Sequence, residues 1–550
     1  MRLAPIAAAA ALLAAVGGCT KSTPQSDTGI SVDTLKTITQ KLSSDEFEGR
    51  APATPGEEKT VAYLIERMKA AGLQPGNKGS WVQDVPLVEL TAQNVSPLNF
   101  TGGTGDPISL NYRSDMVIGT YRVTPQTRIK DSDVVFVGYG IHAPERGWDD
   151  YAGVDVKGKT VVILINDPDW QTKELAGDFG GRAMTYYGRW TYKFEEAARQ
   201  GAAAAIIVHD TEPAAYGWNV VQSSWTGPQL EQDSPGNHMD QSQAVGWIQN
   251  AAARKLFAKG GQDYDKLTAA AKVKGFKAVP LAGVKASVSF DSTIRRQASK
   301  NVIGILPGSE RKDEYVLYSA HWDHLGRCDK VNDDDICNGA IDNASGTAAL
   351  IALAEAQVKK GPAKRTMVFL AVTAEESGLL GSKYYAENPV FPVSQTVGGV
   401  NIDGVNINGP TKDFVFIGVG KSELEDMVKP LVEREGRTVV PEPTPEKGFY
   451  YRSDHFSFAR LGVPMFYGES GEDLVKGGKQ AGKKAADDYT TNRYHQPSDE
   501  YDPNWDWSGA IQDLNIFFWM GRELADGTTW PAWYKDAEFR EIREKSRAGK

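Results

Sequence analysis

The sequence predicts an α/β fold, a doubly wound and largely parallel sheet interrupted by an inserted β-rich block. Three observations predict it. From Asn301 onward apolar strand patterns alternate with helical ones, and that rhythm belongs to a parallel sheet covered on both faces. Between about Asp131 and Val288 the texture is strand-rich and broken by Gly, Pro and Asp turns. The length of 550 residues exceeds one ordinary core, which at about 100–200 residues per domain suggests two or three.

Taken in chain order, the first segment is a leader. Arg2 supplies a minimal positive region, and Leu3–Val16 is the apolar stretch of a secretory signal expected to be removed. Val16-Gly17-Gly18-Cys19 resembles the lipobox of bacterial lipoproteins, which implies a lipid on Cys19, membrane attachment and a place at the cell envelope, in the periplasm or at the outer membrane. A Thr/Ser/Gln-rich tether follows. Val32–Leu73 has helical spacing at Leu35, Ile38 and Leu42, then at Val61, Leu64, Ile65 and Met68.

The strand-rich block contains VVFVGYGI, TVVILI and AAAAIIVHD, with the helical FEEAARQG before the last. The alternating region reads NVIGILPG, YVLYSAH, the helix ASGTAALIALAEAQVKK, then TMVFLAVTA, VGGVNID, DFVFIGV and GVPMFYG. A helix from Ser508 to about Leu524 turns Ile511, Leu514, Phe517 and Phe518 inward, and DAEFREIREKSRAGK ends the chain as a solvated helix or frayed tail. The expected divisions are 1–18 leader, 19–30 tether, 31–112 first part of the main domain, 113–293 insert, 294–527 main domain and 528–550 charged tail.

Composition narrows the partners. An apolar content of 41% with 13 Trp, 21 Tyr and 19 Phe is that of a packed protein, and no stretch after the leader is apolar for long enough to cross a bilayer. A net charge of -10 argues against nucleic acid. Of the three cysteines, lipidation uses one, leaving Cys328 and Cys337 to form a disulfide around DKVNDDDI in an oxidising compartment. The run Asp333-Asp334-Asp335 lacks EF-hand spacing and reads as a solvated loop.

His321, Asp342, Glu376, Asp403 and His495 each stand where an apolar run meets a turn-rich stretch, the edge at which open α/β sheets place ligand sites. Zinc takes carboxylate oxygen and imidazole nitrogen, and two ions about 3.5–4 Å apart need one shared carboxylate with terminal ligands on each side. Asp342 is the natural bridge, His321 and Asp403 serve one of two zinc ions, and Glu376 and His495 serve the other. Glu375 is the candidate general base toward a water between them. Taken singly, each residue is better read as a cap, a turn or a solvated helix start; their joint occurrence in this order is what points to a site. His324 and His455 are expected in local hydrogen bonding, and His142, His209 and His238 on surfaces or turns. Phe449-Tyr450-Tyr451 suits a pocket wall or a core equally.

The set SAHWDH, GAIDNASG, TAEESGLLGS, NIDG and YHQPSDE resembles the co-catalytic di-zinc aminopeptidase family, whose fold is shared with glutamate carboxypeptidase and the transferrin receptor ectodomain. FVGYGIHAPERGWDDYAGVDVKGKTVVIL is similar to the protease-associated domain inserted in many such peptidases. The resemblance implies that Asp323 orients His321, that Tyr494 hydrogen-bonds the developing oxyanion, and that Arg452 lies near the substrate. It implies a peptide substrate and an aminopeptidase activity. The alternative is a dipeptidase or glutamate-carboxypeptidase-like hydrolase, which would need cationic groups for a terminal carboxylate. Glutaminyl cyclisation, with one zinc on a related fold, is disfavoured by retention of both His321 and Asp403, and a receptor-like binding role by retention of the metal ligands. A serine triad is disfavoured because Ser453-Asp454-His455 is contiguous.

Overall fold

The structure, a computed structural model, describes residues 28–548. The expected leader, the Cys19 lipid site and most of the tether lie outside them. In chain order the elements are α1 (Val32–Leu42), α2 (Pro55–Ala70), β1 (Val82–Gln93), β2 (Met116–Gly119), β3 (Gln126–Phe136), β4 (Thr160–Leu164) and α3 (Trp190–Arg199). Then come β5 (Ala204–His209), β6 (Ala244–Gln249), α4 (Asn250–Lys259), β7 (Val279–Leu306), β8 (Arg311–His321), α5 (Gly346–Lys360), β9 (Arg365–Val372) and β10 (Thr396–Asn401). The last are β11 (Met465–Phe466), α6 (Gly478–Asn492), α7 (Ser508–Asp526) and α8 (Arg540–Arg547).

The main sheet runs β11-β10-β8-β9-β7-β3-β4-β5-β6-β2. Two parallel runs, β11-β10-β8-β9 and β3-β4-β5-β6, are joined by the long β7, which is antiparallel to β9 on one side and to β3 on the other. The α/β class and the largely parallel sheet are borne out. The expected boundary at 293 falls inside β7, which also pairs with β1 from Asp291 to Val302. DFVFIGV does not join the main sheet; Asp413–Phe416 pairs with Thr438–Val440 and Gly468–Ser470 in a separate sheet.

Alternation along β8 explains the layers. Val316, Tyr318 and Ala320 face a core filled from α1, α2, α5 and α7, whereas Leu317 faces the opposite one with Val368, Leu370 and Phe458. The alanines of α5 let it lie close on the sheet; every residue from Gly346 to Ala354 is buried. Of the two readings of the terminal segment, the solvated helix holds: Arg540–Arg547 is helical with only Arg543 buried. Trp533 and Phe539 are buried, and Arg543 donates from Nη2 to the Thr396 carbonyl at 2.7 Å, so its charge is spent on a backbone end the sheet leaves open. Cys328 and Cys337 form the expected disulfide, with an S–S distance of 2.07 Å. Among the described residues no helix is long and apolar enough to cross a membrane.

Candidate metal centre

Parallel pairing places the predicted ligands on one edge. His321 ends β8 in register with Val372 at the end of β9, and Ser319 is in register with Asn401 at the end of β10. Glu375 and Glu376 follow the one strand and Asp403 the other. Asp342 arrives on the turn that enters α5, and the Asp342–Asn343 peptide bond is cis. His495 comes from the loop after α6. Ala374, just before Glu375, and His495 itself have φ of 52° and 59°, in the left-handed region where non-glycine residues are held at a cost.

All five predicted ligands converge. His321 Nε2 lies 3.3 Å from Asp342 Oδ1 and 3.1 Å from Asp403 Oδ1. His495 Nε2 lies 3.4 Å from Asp342 Oδ2 and 3.1 Å from Glu376 Oε2. Asp342 therefore offers one oxygen to each side, as expected of a bridge. Donor atoms about 2.0–2.2 Å from one tetrahedral ion stand roughly 3.3–3.6 Å apart, so these separations and this N/O donor set fit zinc. Ligand atoms of His321, Asp342 and Glu376 alone lie within 4.8 Å of one another.

The electrostatics match. Burial works against the charged forms, yet bonding to His321 and His495 holds the Asp342 carboxyl well below the usual range, and His495 with His324 holds Glu376 down to about 2. Burial also opposes charge on the two imidazoles, but the surrounding carboxylates raise both well above the ordinary histidine value. Burial drives Glu375 the other way, well above the ordinary carboxylate range, with Asp403 and Glu376 adding repulsion against the pull of His321.

The residues around the cage divide by role. Asp323 is wholly buried and its carboxyl is pushed up to about 8 by burial. His321 Nδ1 is 3.2 Å from the Asp323 carbonyl and 3.8 Å from its carboxylate, which instead accepts the Glu375 N–H at 3.1 Å. The tautomer of His321 is thus set by the backbone of Asp323, and the side chain of Asp323 positions Glu375. Tyr494 is 47% exposed and its ring stacks on His495 with centroids 3.8 Å apart. His324 Nδ1 sits 2.6 Å from Glu376 Oε1, the local bonding expected of it. His455 is wedged between the rings of Tyr450 and Tyr467, and burial keeps it neutral with a pKa of about 3. His209 corrects the expectation of a surface residue: it is buried at the end of β5 and bonds the Tyr216 carbonyl at 3.0 Å. Tyr450 and Tyr451 join a core with Trp533 and Phe539, so that run is mainly core.

Three positioning residues escaped the sequence reading. Asp499 accepts from the N–H groups of Ile341 and Asp342 at 3.1 Å. Asn343 Oδ1 accepts from Gly346 and Gly404, tying the Asp342 turn to the Asp403 loop. Arg50, wholly buried, donates to the carbonyls of Trp322, Leu42, Asn338 and Gly339. Gly339 has φ of 52°, and a Cβ there would meet the Asp342 carbonyl at 2.1 Å, which explains the glycine opening GAIDNASG.

With the cage assembled, its relatives can be compared. Residues 301–518 match the model of peptidase family M28. That span holds every proposed ligand, and the resemblance read from the motifs is borne out. A 128-residue stretch is 32% identical to aminopeptidase NAALADL1 of Mus musculus, covering 22% of this chain and 16% of that protein. Another of 111 residues is 37% identical to a glutamate carboxypeptidase 2 homolog of Caenorhabditis elegans, covering 19% and 13%, and one of 93 residues is 34% identical to aminopeptidase YwaD of Bacillus subtilis (strain 168), covering 17% and 18%. The chain thus spans less than a fifth of the length of each of these curated relatives. The solved aminopeptidase from Aneurinibacillus sp. strain AM-1 shares the fold at a TM-score of 0.50 and 21% identity, over 90% of this chain and 95% of that one.

Proposed function

We propose that the protein is a zinc-dependent exopeptidase of the aminopeptidase type, releasing N-terminal residues from peptides. The observation that carries it is Asp342, whose two oxygens face two separate sets of nitrogen and oxygen donors, an arrangement suited to two ions. Zinc held by His321, Asp403 and Asp342, and by Glu376, His495 and Asp342, would supply Lewis acidity and a water acidified toward neutral pH. The protein's own part is proton handling and positioning. Glu375, anchored through its N–H by Asp323, takes the proton of the attacking water and returns it to the leaving amine. Tyr494, fixed by stacking on His495, donates its hydroxyl to the developing oxyanion. The relatives named aminopeptidases support cleavage at the amino end.

The same reading includes a protease-associated insert at 113–293 and a lipid on Cys19 that holds the chain at the bacterial cell envelope. The Cys328–Cys337 disulfide supports an oxidising compartment. The test pairs metal analysis with turnover of aminoacyl, N-acetylated and C-terminally blocked peptides. Two zinc ions per chain and cleavage only with a free amino end are expected. Equal cleavage of N-acetylated peptides, or full activity after zinc is stripped, overturns the reading.

A further inference from the structure

Thr373, two residues before Glu375, is the end of a buried polar chain that reaches back to the first part of the molecule. Glu57, in the first turn of α2, is 2% exposed, and its Oε2 accepts the Ala53 N–H at 2.5 Å and the Ser299 hydroxyl at 2.7 Å. Ser299 lies wholly buried on β7, with its Oγ 2.5 Å from Thr373 Oγ1. Because the Ser299 proton is committed to Glu57, the Thr373 hydroxyl is the donor in that second bond. Thr373 is itself wholly buried and is the first residue after β9.

Thr373 is where the chain leaves the sheet for the ligand turn. Ala374 beside it has φ of 52°, a conformation that a non-glycine residue keeps only when its surroundings hold it there. The backbone of Thr373 is tied on both sides: its N–H donates to Asn301 Oδ1 at 3.1 Å, and its carbonyl accepts from the Gly381 N–H at 3.0 Å. The hydroxyl adds a third tie. Everything after the turn depends on it, since the Glu375 N–H meets the Asp323 carboxylate at 3.1 Å and Glu376 Oε2 lies 3.1 Å from His495 Nε2. A rotation at Ala374 would carry both carboxylates away together.

Glu57 is an expensive residue for its place. Its Oε1 is buried with no hydrogen-bond partner, and Lys300 Nζ, which pairs with it, stands 3.9 Å away. Burial pushes the carboxyl above its ordinary range, against the pull of Ser299, the Ala53 N–H and Lys300. Its Oε2 also fixes Ala53, whose φ is 57°, in the turn after Arg50.

We propose that Glu57 is a positioning residue for the general base: acting through Ser299 and Thr373, it holds the Ala374 turn that aims Glu375. This rests on the exopeptidase reading, in which Glu375 handles the proton of the attacking water. It also makes the stretch from Arg50 to Glu57 a frame for two sides of the site, Arg50 under the segments of His321 and Asp342 and Glu57 under the base.

The test measures kcat, KM and zinc content of Ser299→Ala, Thr373→Val, Thr373→Ser, Glu57→Leu and Glu57→Gln against wild type, with the best-cleaved aminoacyl peptide. Ser299→Ala, Thr373→Val and Glu57→Leu are expected to lower kcat per bound zinc by about tenfold or more with KM unchanged. Thr373→Ser and Glu57→Gln, which keep the hydroxyl and the accepting oxygen, should recover most of it. Once Ser299→Ala has cut the chain, adding Glu57→Leu should cause no further fall in kcat. Full kcat in Ser299→Ala and Thr373→Val overturns the proposal. So does a loss confined to the thermal midpoint with kcat per zinc kept, which makes the chain a packing feature alone. Additive falls in the double variant overturn the route through Ser299. Should Glu57→Leu fail to fold, the Ser299 and Thr373 variants decide. Hydrogen exchange of the zinc-free protein gives a readout without turnover: Ser299→Ala should speed exchange at the Thr373 and Glu375 N–H groups by about tenfold and leave β5 at its wild-type rate. If wild type cleaves no peptide, the exopeptidase reading falls and exchange alone decides the brace; faster exchange at those two amides supports it, and unchanged exchange refutes it.

Discussion

Replacing Arg50 should loosen the metal centre although Arg50 touches none of its proposed ligands' side chains. Its guanidinium donates at 2.9 Å to Trp322, 2.8 Å to Leu42, 2.6 Å to Asn338 and 2.9 Å to Gly339, carbonyls that lie on the segments carrying His321 and Asp342 and on the end of α1. Hydrogen bonds from a charged group contribute about 1.5–3 kcal/mol each, so four amount to roughly 6 kcal/mol at the low end. Burial acts against this, pushing Arg50 down to about 10 despite the nearby carboxylates, a cost on the order of 3 kcal/mol. Arg50→Met therefore should cost about 3 kcal/mol or more, since it leaves four buried carbonyls unpartnered. Urea unfolding of the zinc-free protein reads that loss, and metal analysis after reloading reads the expected drop in zinc content. Arg50→Lys, which keeps the charge without the fork, should fall between the two. An Arg50→Met protein with an unchanged unfolding midpoint and full zinc would refute the reasoning.

The other predictions concern the cage itself. Glu375→Gln should reduce kcat by about 10²–10⁴-fold while metal content stays at the wild-type level; retained activity removes Glu375 as the general base. Glu376→Ala should lower zinc occupancy in metal analysis, and full occupancy there would take Glu376 off the ligand set. His321 and His495 have raised pKa values in the zinc-free fold, so the ion pairs they make are fully stabilising below the unfolded value near 6.5 and are lost as pH rises through the folded values. Zinc requires the neutral imidazoles, so its affinity runs the opposite way, rising with pH by up to about 100-fold per unit if two protons are displaced. Calorimetry of zinc binding in buffers of different ionisation enthalpy measures that release, and no net proton release would contradict it.

Much of the site was legible because its ligands sit at strand ends. The motif around His321, the GAIDNASG turn, Glu375-Glu376 after TMVFLAV and Asp403 after VGGVN carry their own strand-to-loop signature, and parallel pairing brings such ends together. The Cys328–Cys337 bridge was legible from the cysteine count and the expected export of the chain. The Asp323 side chain was only half legible: its place beside His321 was clear, but that its carboxylate would anchor Glu375 was not, because the choice depends on which strand lies next to β8. Burial of His209 was hidden for a similar reason, since one imidazole at the end of an apolar strand looks the same exposed or covered.

By itself the sequence determined the donor chemistry, two imidazoles and three carboxylates in a fixed chain order, together with the alternating pattern that builds a parallel sheet. Only the tertiary structure decided what surrounds that chemistry: Arg50 and Asp499 bracing the ligand loops, and Asn343 tying two of them. The physical reason is that a side chain bonding a backbone carbonyl nearly three hundred residues away leaves no periodicity or spacing in the chain. Its partners come within reach only once α1 and α2 have packed against β8 and α5 in one core.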